Sequence, residues 1–337
     1  MIEVDGSFGS GGGQVLRTAV GLSALVQKPC RVFNIRSKRP NPGLREQHLQ
    51  AVLAVSELCG GKVEGAEIGS TQIEFYPGEI KSRELSIAVS TAGSVGLVLQ
   101  AVLIPAVGFD LSVRIRGGAT YGRWAVPVAY LQNVLSPLLR QMGYRLTIDI
   151  LREGFYPRGG AEVEVRTVHA VLRPLEILDK GKIISVTGLS VASESLRRKN
   201  VAERQAHSAS KVLSDYFKTG PRIEVQYSPS LCPGSGIQLW LETERSLLGS
   251  SGLGEPGKRA EEVGRKAAEE LISEYEGGAV DSHAADQLLP YLALAGGKIR
   301  VKQITDHCRT NAFVIRKFLP VKFRIGEKTI EVEKIAN

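Results

Sequence analysis

The feature that most constrains this 337-residue chain is a threefold recurrence of one order of elements: helix, strand, loop, helix, strand, strand. In the first copy, apolar residues recur at helical spacing from Gln14 to Val26. Cys30 to Ile35 then reads as a strand, and SKRPNPG is a loop closed by two prolines and a glycine. A second helix runs from about Leu44 to Cys59 and stops at the Gly60-Gly61 pair, after which GKVEGAEIG and STQIEFYPG read as two strands. The same order returns after Ser94: helix Val95 to Val107, strand 111 to 116, the glycine loop GGATYGRW, a helix from about Pro127 to Met142, and strands in TIDILREG and GGAEVEVRTV. A third copy holds helix Ala285 to Ala295, strand KIRVKQI, loop TDHCRTN, helix Ala312 to Phe318, and strands VKFRI and KTIEVE. Such repetition implies sheets each covered by two helices around a common centre, so that equivalent loops converge on one crevice.

Between the second and third copies, residues 181–278 break this register. IISVTGLSV, IEVQYS and IQLWLET read as strands there, Ala202 to Tyr216 as a helix, and Arg259 to Tyr275 as a charged helix. The expectation is a small inserted α+β domain at 181–278, set in a body built from 1–180 and 279–337.

The net charge is +8, and half of that excess lies in the first 50 residues. There Arg31, Arg36, Lys38, Arg39 and Arg45 follow one another with no acid between them, as in a surface that meets phosphates or in a solvated basic face. The opening MIEVDG has no secretory pattern, and the four cysteines form no CxxC pair, so a reduced intracellular, cytoplasmic protein is expected. Leu85 to Phe109 carries no charge, yet its serines, its glycines and Pro105 suit a strand, a turn and a buried helix better than a membrane span.

Several motifs admit both a chemical and a structural reading. GSFGSGGGQVLR places glycines ahead of a helix with Arg17 one turn in. That makes an anion site of unpaired backbone N–H groups, or else a place where backbones pack closely, and without a Walker lysine it is no P-loop. GLGEPG at 252–257 fits a dinucleotide pattern but lies in what reads as a mobile loop, not in a tight strand-to-helix turn. STAGS at 90–94 reads as a helix N-cap. Gln47, Gln100 and Gln287 fall at comparable helical places in the three copies, as groups lining a shared crevice or as surface glutamines. In DSHAADQLLPYLALAGG, Asp281 or Ser282 is expected to cap a helix, with Asp286 in its first turn; no metal-ligand spacing occurs.

Taken in order, GGGQVLRTA, NIRSKRPNPGLREQHLQAV, STAGSVGLVLQ, GFYPRGG, ADQLLPYLALAGG and HCRTNAFVIRKFLPVKF closely resemble the RNA 3′-terminal phosphate cyclases over essentially the full length. The fold so implied is α+β: three repeated units of two helices on a four-stranded sheet, like those of the enolpyruvyl transferases, plus a small inserted domain. The activity implied uses ATP with Mg²⁺ or Mn²⁺ on an RNA that ends in a 3′-phosphate. A histidine takes AMP, passes it to that phosphate, and the neighbouring 2′-hydroxyl closes a 2′,3′-cyclic phosphate.

By this resemblance the nucleophile is His307, and an imidazole suits the task because it is nucleophilic when neutral and leaves readily once protonated. Arg17, Arg39, Gln47 and Gln100 would hold phosphates, Asp286 and Gln287 would line the nucleotide pocket, and Pro127, Tyr130 and His283 would sit at the adenine. One departure is Ser10, where the family commonly carries a metal-binding glutamate. Non-catalytic ribosome-assembly proteins that share the fold would lack the histidine and the clamp arginines, and an enolpyruvyl-type transferase has no use for the histidine loop; His307, Arg17 and Arg39 are all present. Oligomeric state stays open, and no membrane is expected.

Overall fold

The structure, a computed structural model, describes residues 1–9, 11–81 and 83–335. In the first unit, β1 (Ile2–Asp5), α1 (Gly13–Val26), β2 (Cys30–Phe33), α2 (Glu46–Cys59), β3 (Lys62–Glu64) and β4 (Ile73–Tyr76) form a sheet of order β1-β2-β4-β3. The second holds β5 (Glu84–Ser94), α3 (Val95–Leu103) and β6 (Leu111–Ala119). Next, α4 (Val128–Tyr130) continues through a π turn at Leu131–Leu135 into α5 (Ser136–Gln141), and β7 (Leu146–Arg152) and β8 (Glu162–Thr167) complete the order β5-β6-β8-β7.

The third unit opens with β9 (Leu175–Ile177) and is then interrupted. The interruption is β10 (Ile183–Ser193), α6 (Val201–Phe217), β11 (Arg222–Ser228), β12 (Ser235–Thr243), β13 (Leu247–Leu253) and α7 (Ala260–Gly277). The unit resumes with α8 (Ser282–Ala295), β14 (Gly297–Arg300), α9 (Asp306–Phe318), β15 (Val321–Ile325) and β16 (Thr329–Lys334), giving the order β9-β14-β16-β15. In all three units the first strand pairs parallel to the second and the remaining pairs are antiparallel. The mixed α+β fold with four-stranded sheets is therefore as expected.

The repeat as read from the sequence lacked its opening strand. β1 and β9 have four and three residues, too few to show an alternating pattern. Because β9 precedes the interruption, residues 181–278 split the third unit and do not separate it from the second. β13 is a further correction: SLLGSSGLG read as loop, but it pairs along β12 as the edge of a sheet of order β11-β10-β12-β13. Its glycines admit neighbours. A Cβ at Gly249 would meet Tyr130 at 2.8 Å and Val134 at 2.6 Å, so the bare backbone lets this sheet lie against the second unit.

The cores explain the helix positions. α1 is buried from Gln14 to Ala24 and α3 along most of its length, which places both at the centre of the three units. The uncharged stretch of the sequence thus becomes the edge strand β5 and the buried helix α3, and among the described residues no helix is long and apolar enough to cross a membrane. One apolar cluster runs through all three units, while Val186, Ala209, Leu213, Leu239, Val263 and Leu271 belong to a separate one between β10, β12, α6 and α7. Cys30, Cys59, Cys232 and Cys308 are free and buried.

Candidate functional site

Four helix beginnings build the site. α1 starts after Gly12, whose extended backbone offers no side-chain cap, so its first N–H groups have no capping side chain. Close packing claims part of the glycine run: a Cβ on Gly13 would lie 2.2 Å from His48 Nε2, and one on Gly9 would lie 2.5 Å from Thr310 Oγ1. α8 is capped by Asp281, which accepts from the N–H of His283 and Ala284 and also takes the Tyr130 hydroxyl at 2.7 Å and the Gly249 N–H at 2.9 Å. Ser94 caps α3 by accepting from Leu97 N, as expected of STAGS.

The histidine motif is not a loop. Thr305 is the N-cap of α9 and its hydroxyl accepts from Cys308 N, so His307 stands in the first turn of the helix. The spacing carried this signal, since Cys308, Ala312 and Ile315 recur at helical intervals and all three are buried. Asp286 is also displaced from the expectation. It lies in the second turn of α8, part-buried and not beside the helix start.

A crevice opens between α1, α3, α8 and α9, lined by Gln14, Arg17, Gln100, Asp286, Gln287 and Asn311 among others. Four of the expected site residues therefore share one wall: Arg17, Gln100, Asp286 and Gln287. His307 stands beside them through Gln14, whose Oε1 faces His307 Nδ1 while its Nε2 donates to Asp286 Oδ2 at 2.9 Å. Arg39 is exposed on the loop after β2 and its charge reaches His307. Gln47 is half-buried in the first turn of α2, and Pro127 is buried at the start of α4; neither lines the crevice. Tyr130 is buried with its hydroxyl committed to Asp281, and His283 packs edge-on to its ring at 6.1 Å.

The electrostatics are those of an anion site. Arg17 is 9% exposed, and among the described residues no carboxylate lies within salt-bridge distance of it. Burial lowers its pKa to about 10, against the pull of Asp286. A guanidinium held this way is completed by an arriving anion, because its donors are already desolvated and aimed. Burial and the charges of Arg17, His283 and Arg39 also lower His307 below the ordinary imidazole value, against Asp306, so the ring is neutral at pH 7. Burial raises Asp286 to about 7. Arg36 spends its guanidinium on the carbonyls of Asn41 and Gly43, which shapes the loop that presents Arg39 and Arg45.

Three residues at the site escaped sequence reading. Gln14 lies three positions before Arg17, and Asn311 four after His307, so helical spacing could have placed each on its neighbour's face. His48 falls at the third position of α2, where Nδ1 accepts from Arg45 N, and burial with Arg17, Arg36 and Arg45 around it lowers its pKa to about 3. Ser10 lies outside the described residues. Among the described residues no three His, Cys, Asp or Glu side chains converge as a metal site.

The family model described as RNA 3′-terminal phosphate cyclase matches residues 8–325. Proteins named RNA 3′-terminal phosphate cyclase from Methanopyrus kandleri, Thermococcus kodakarensis and Pyrococcus furiosus are each 46% identical to this chain. The alignments cover 98%, 96% and 97% of it, and 98%, 94% and 97% of those proteins. With a family model matching residues 8–325 and relatives 46% identical over nearly its whole length, the chain belongs to the RNA 3′-terminal phosphate cyclase family.

Proposed function

We propose that this chain is a cytoplasmic, ATP-dependent enzyme that converts an RNA 3′-terminal phosphate into a 2′,3′-cyclic phosphate, with His307 as the covalent nucleophile. The observation that carries the reading is the place of His307, in the first turn of α9 and joined through Gln14 to a crevice lined by Arg17, Gln100, Asp286 and Gln287. In the first step His307 attacks the α-phosphorus of ATP and pyrophosphate leaves. The RNA 3′-phosphate then takes the AMP from the histidine, and attack by the 2′-hydroxyl on the activated 3′-phosphorus closes the ring and releases AMP. Charge gathers on phosphate oxygens in every step, which is where buried guanidinium, helix N-terminal N–H groups and glutamine amides stabilise it.

In this reading Arg17, Arg39, Gln47 and Gln100 bind phosphates. Asp286 and Gln287 line the nucleotide pocket, with Pro127, Tyr130 and His283 on the adenine side. Mg²⁺ or Mn²⁺, bound with ATP, would screen the triphosphate charge. Residues 181–278 are assigned to an inserted domain, supported by their separate sheet and apolar cluster.

The test is incubation with α-³²P-ATP and Mg²⁺. The wild type is expected to carry an acid-labile, alkali-stable label, and His307→Ala to carry none while melting at the wild-type temperature. A labelled His307→Ala protein moves the nucleophile elsewhere, and an unlabelled wild type overturns the reading.

A further inference from the structure

We propose that Gln14 is a positioning residue for His307, holding the imidazole in the tautomer that leaves the Nε2 lone pair bare. This rests on the reading of His307 as nucleophile. Gln14 is 8% exposed in the first turn of α1 and its amide bridges two other helices: Nε2 donates to Asp286 Oδ2 on α8, and Oε1 meets His307 Nδ1 on α9. Asp286, raised to about 7, is ionised above that pH, and its carboxylate then only accepts, so it draws the amide N–H toward itself and turns the amide oxygen to the histidine. That oxygen also only accepts. Nδ1 must therefore carry the ring proton, and Nε2, on the far side of the ring, keeps its electron pair. The reversed amide requires a protonated Asp286 and would place the proton on Nε2, where it blocks attack, so the productive tautomer is the one held above about pH 7.

The frame around the amide is rigid. Asn311 Nδ2 donates to the Asp286 carbonyl at 2.7 Å, and Thr18 Oγ1 donates to Asn311 Oδ1 at 2.8 Å, so α1, α8 and α9 are tied together one layer below the amide. The charged groups facing this cluster are Arg17 from α1, His283 and Asp281 from α8, Arg39 from the loop after β2, and Asp306 from α9.

An amide as orienter has a consequence for the chemistry. When Nε2 attacks, its electron pair forms the N–P bond and the P–O bond to pyrophosphate breaks, its electrons leaving with pyrophosphate. The ring becomes cationic and Nδ1–H stays on Gln14 Oε1, since an amide oxygen does not take the proton. When the RNA phosphate oxygen attacks the same phosphorus, the N–P electrons return to Nε2 and the starting tautomer is regenerated. No proton moves in either step, and the ring remains a good leaving group throughout.

The experiment is two-bond ¹H–¹⁵N correlation at pH 8 on protein labelled with ¹⁵N-histidine, with the His307 signal assigned by its loss in His307→Ala. The wild type is expected to show a protonated Nδ1 and an unprotonated Nε2. Gln14→Met, of similar shape but without the amide, is expected to shift the ring to the Nε2–H form and to slow adenylation at saturating ATP by about tenfold or more, with ATP affinity within about twofold of wild type. Gln14→Leu replaces it if the methionine variant does not fold. An Nε2–H tautomer in the wild type, or an unchanged tautomer and rate in Gln14→Met, overturns the proposal. Label on His307→Ala, by contrast, overturns the nucleophile reading and leaves the tautomer result to stand by itself.

Discussion

At the residue scale the molecule uses histidine in opposite ways on two sides of the start of α1, His48 against Gly13 and His307 against Gln14. His48 is buried, its ring against Gly13 and its Nδ1 taken by a backbone N–H, so it is a structural group locked neutral. His307 is held below the ordinary imidazole value by partial burial and then by the charges of Arg17, His283 and Arg39, yet the residue reaches the surface. The same cations give the first prediction. Arg39 is exposed and has no carboxylate partner among the described residues, so Arg39→Ala should lower adenylation by about tenfold or more and leave the melting temperature unchanged within about 1 °C. Equal labelling by variant and wild type would return Arg39 to the role of a solvated surface charge. The basic loop was legible in the sequence because charge runs show without folding; Gln14 was not, because a glutamine gains meaning only from the two groups it joins.

At the element scale, α8 contains Pro290, which has no N–H to give to the Asp286 carbonyl one turn back. Asn311 of α9 supplies the missing donor at 2.7 Å. A helix interruption is thus repaired by its neighbour, and the repair sets the height of α9, and so of His307, against α8. Asn311→Ala should destabilise the fold by about 1–3 kcal/mol, because it leaves the Asp286 carbonyl and the Thr18 hydroxyl without partners. Denaturant titration checks this; a loss under about 0.5 kcal/mol would mean that other groups satisfy both atoms. The proline was visible in the sequence but its consequence was not, since the compensating donor lies in another helix. The start of α9 was misread for a related reason: TDHCRTN is polar because one face looks into a crevice, and polarity alone resembles a loop.

At the scale of the whole molecule, Glu153 joins the second unit to the fourth sheet. It is 1% exposed, its backbone N–H donates to Ser228 Oγ of β11, Thr120 donates to one carboxyl oxygen, and the other has no partner. Burial raises its pKa from 4.5 to about 7. Between those values the folded chain holds a proton that the unfolded chain has released, so this group makes stability fall as pH rises through the window. Glu153→Gln should remove about 3 kcal/mol of that fall, seen as denaturation midpoints that diverge from wild type more at pH 8 than at pH 5. Asp286 contributes with the same sign in both proteins and cancels in the comparison. Parallel midpoints at the two pH values would show that Glu153 ionises in the folded state as readily as in the unfolded one.

The amino-acid sequence alone determined the repeat, the helices with their apolar stripes, the basic first unit and the family, because periodicity, composition and long motifs are properties of neighbours along the chain. Tertiary structure decided the rest. Short opening strands exist only once partners hydrogen-bond to them, β13 needs glycines that another surface can approach, and the Asp286–Gln14–His307 series links residues 14, 286 and 307, which meet only when α1, α8 and α9 pack. Hydrogen bonds across such distances depend on the register of three helices, and that register is set by buried volume and by satisfied polar groups that no local pattern encodes.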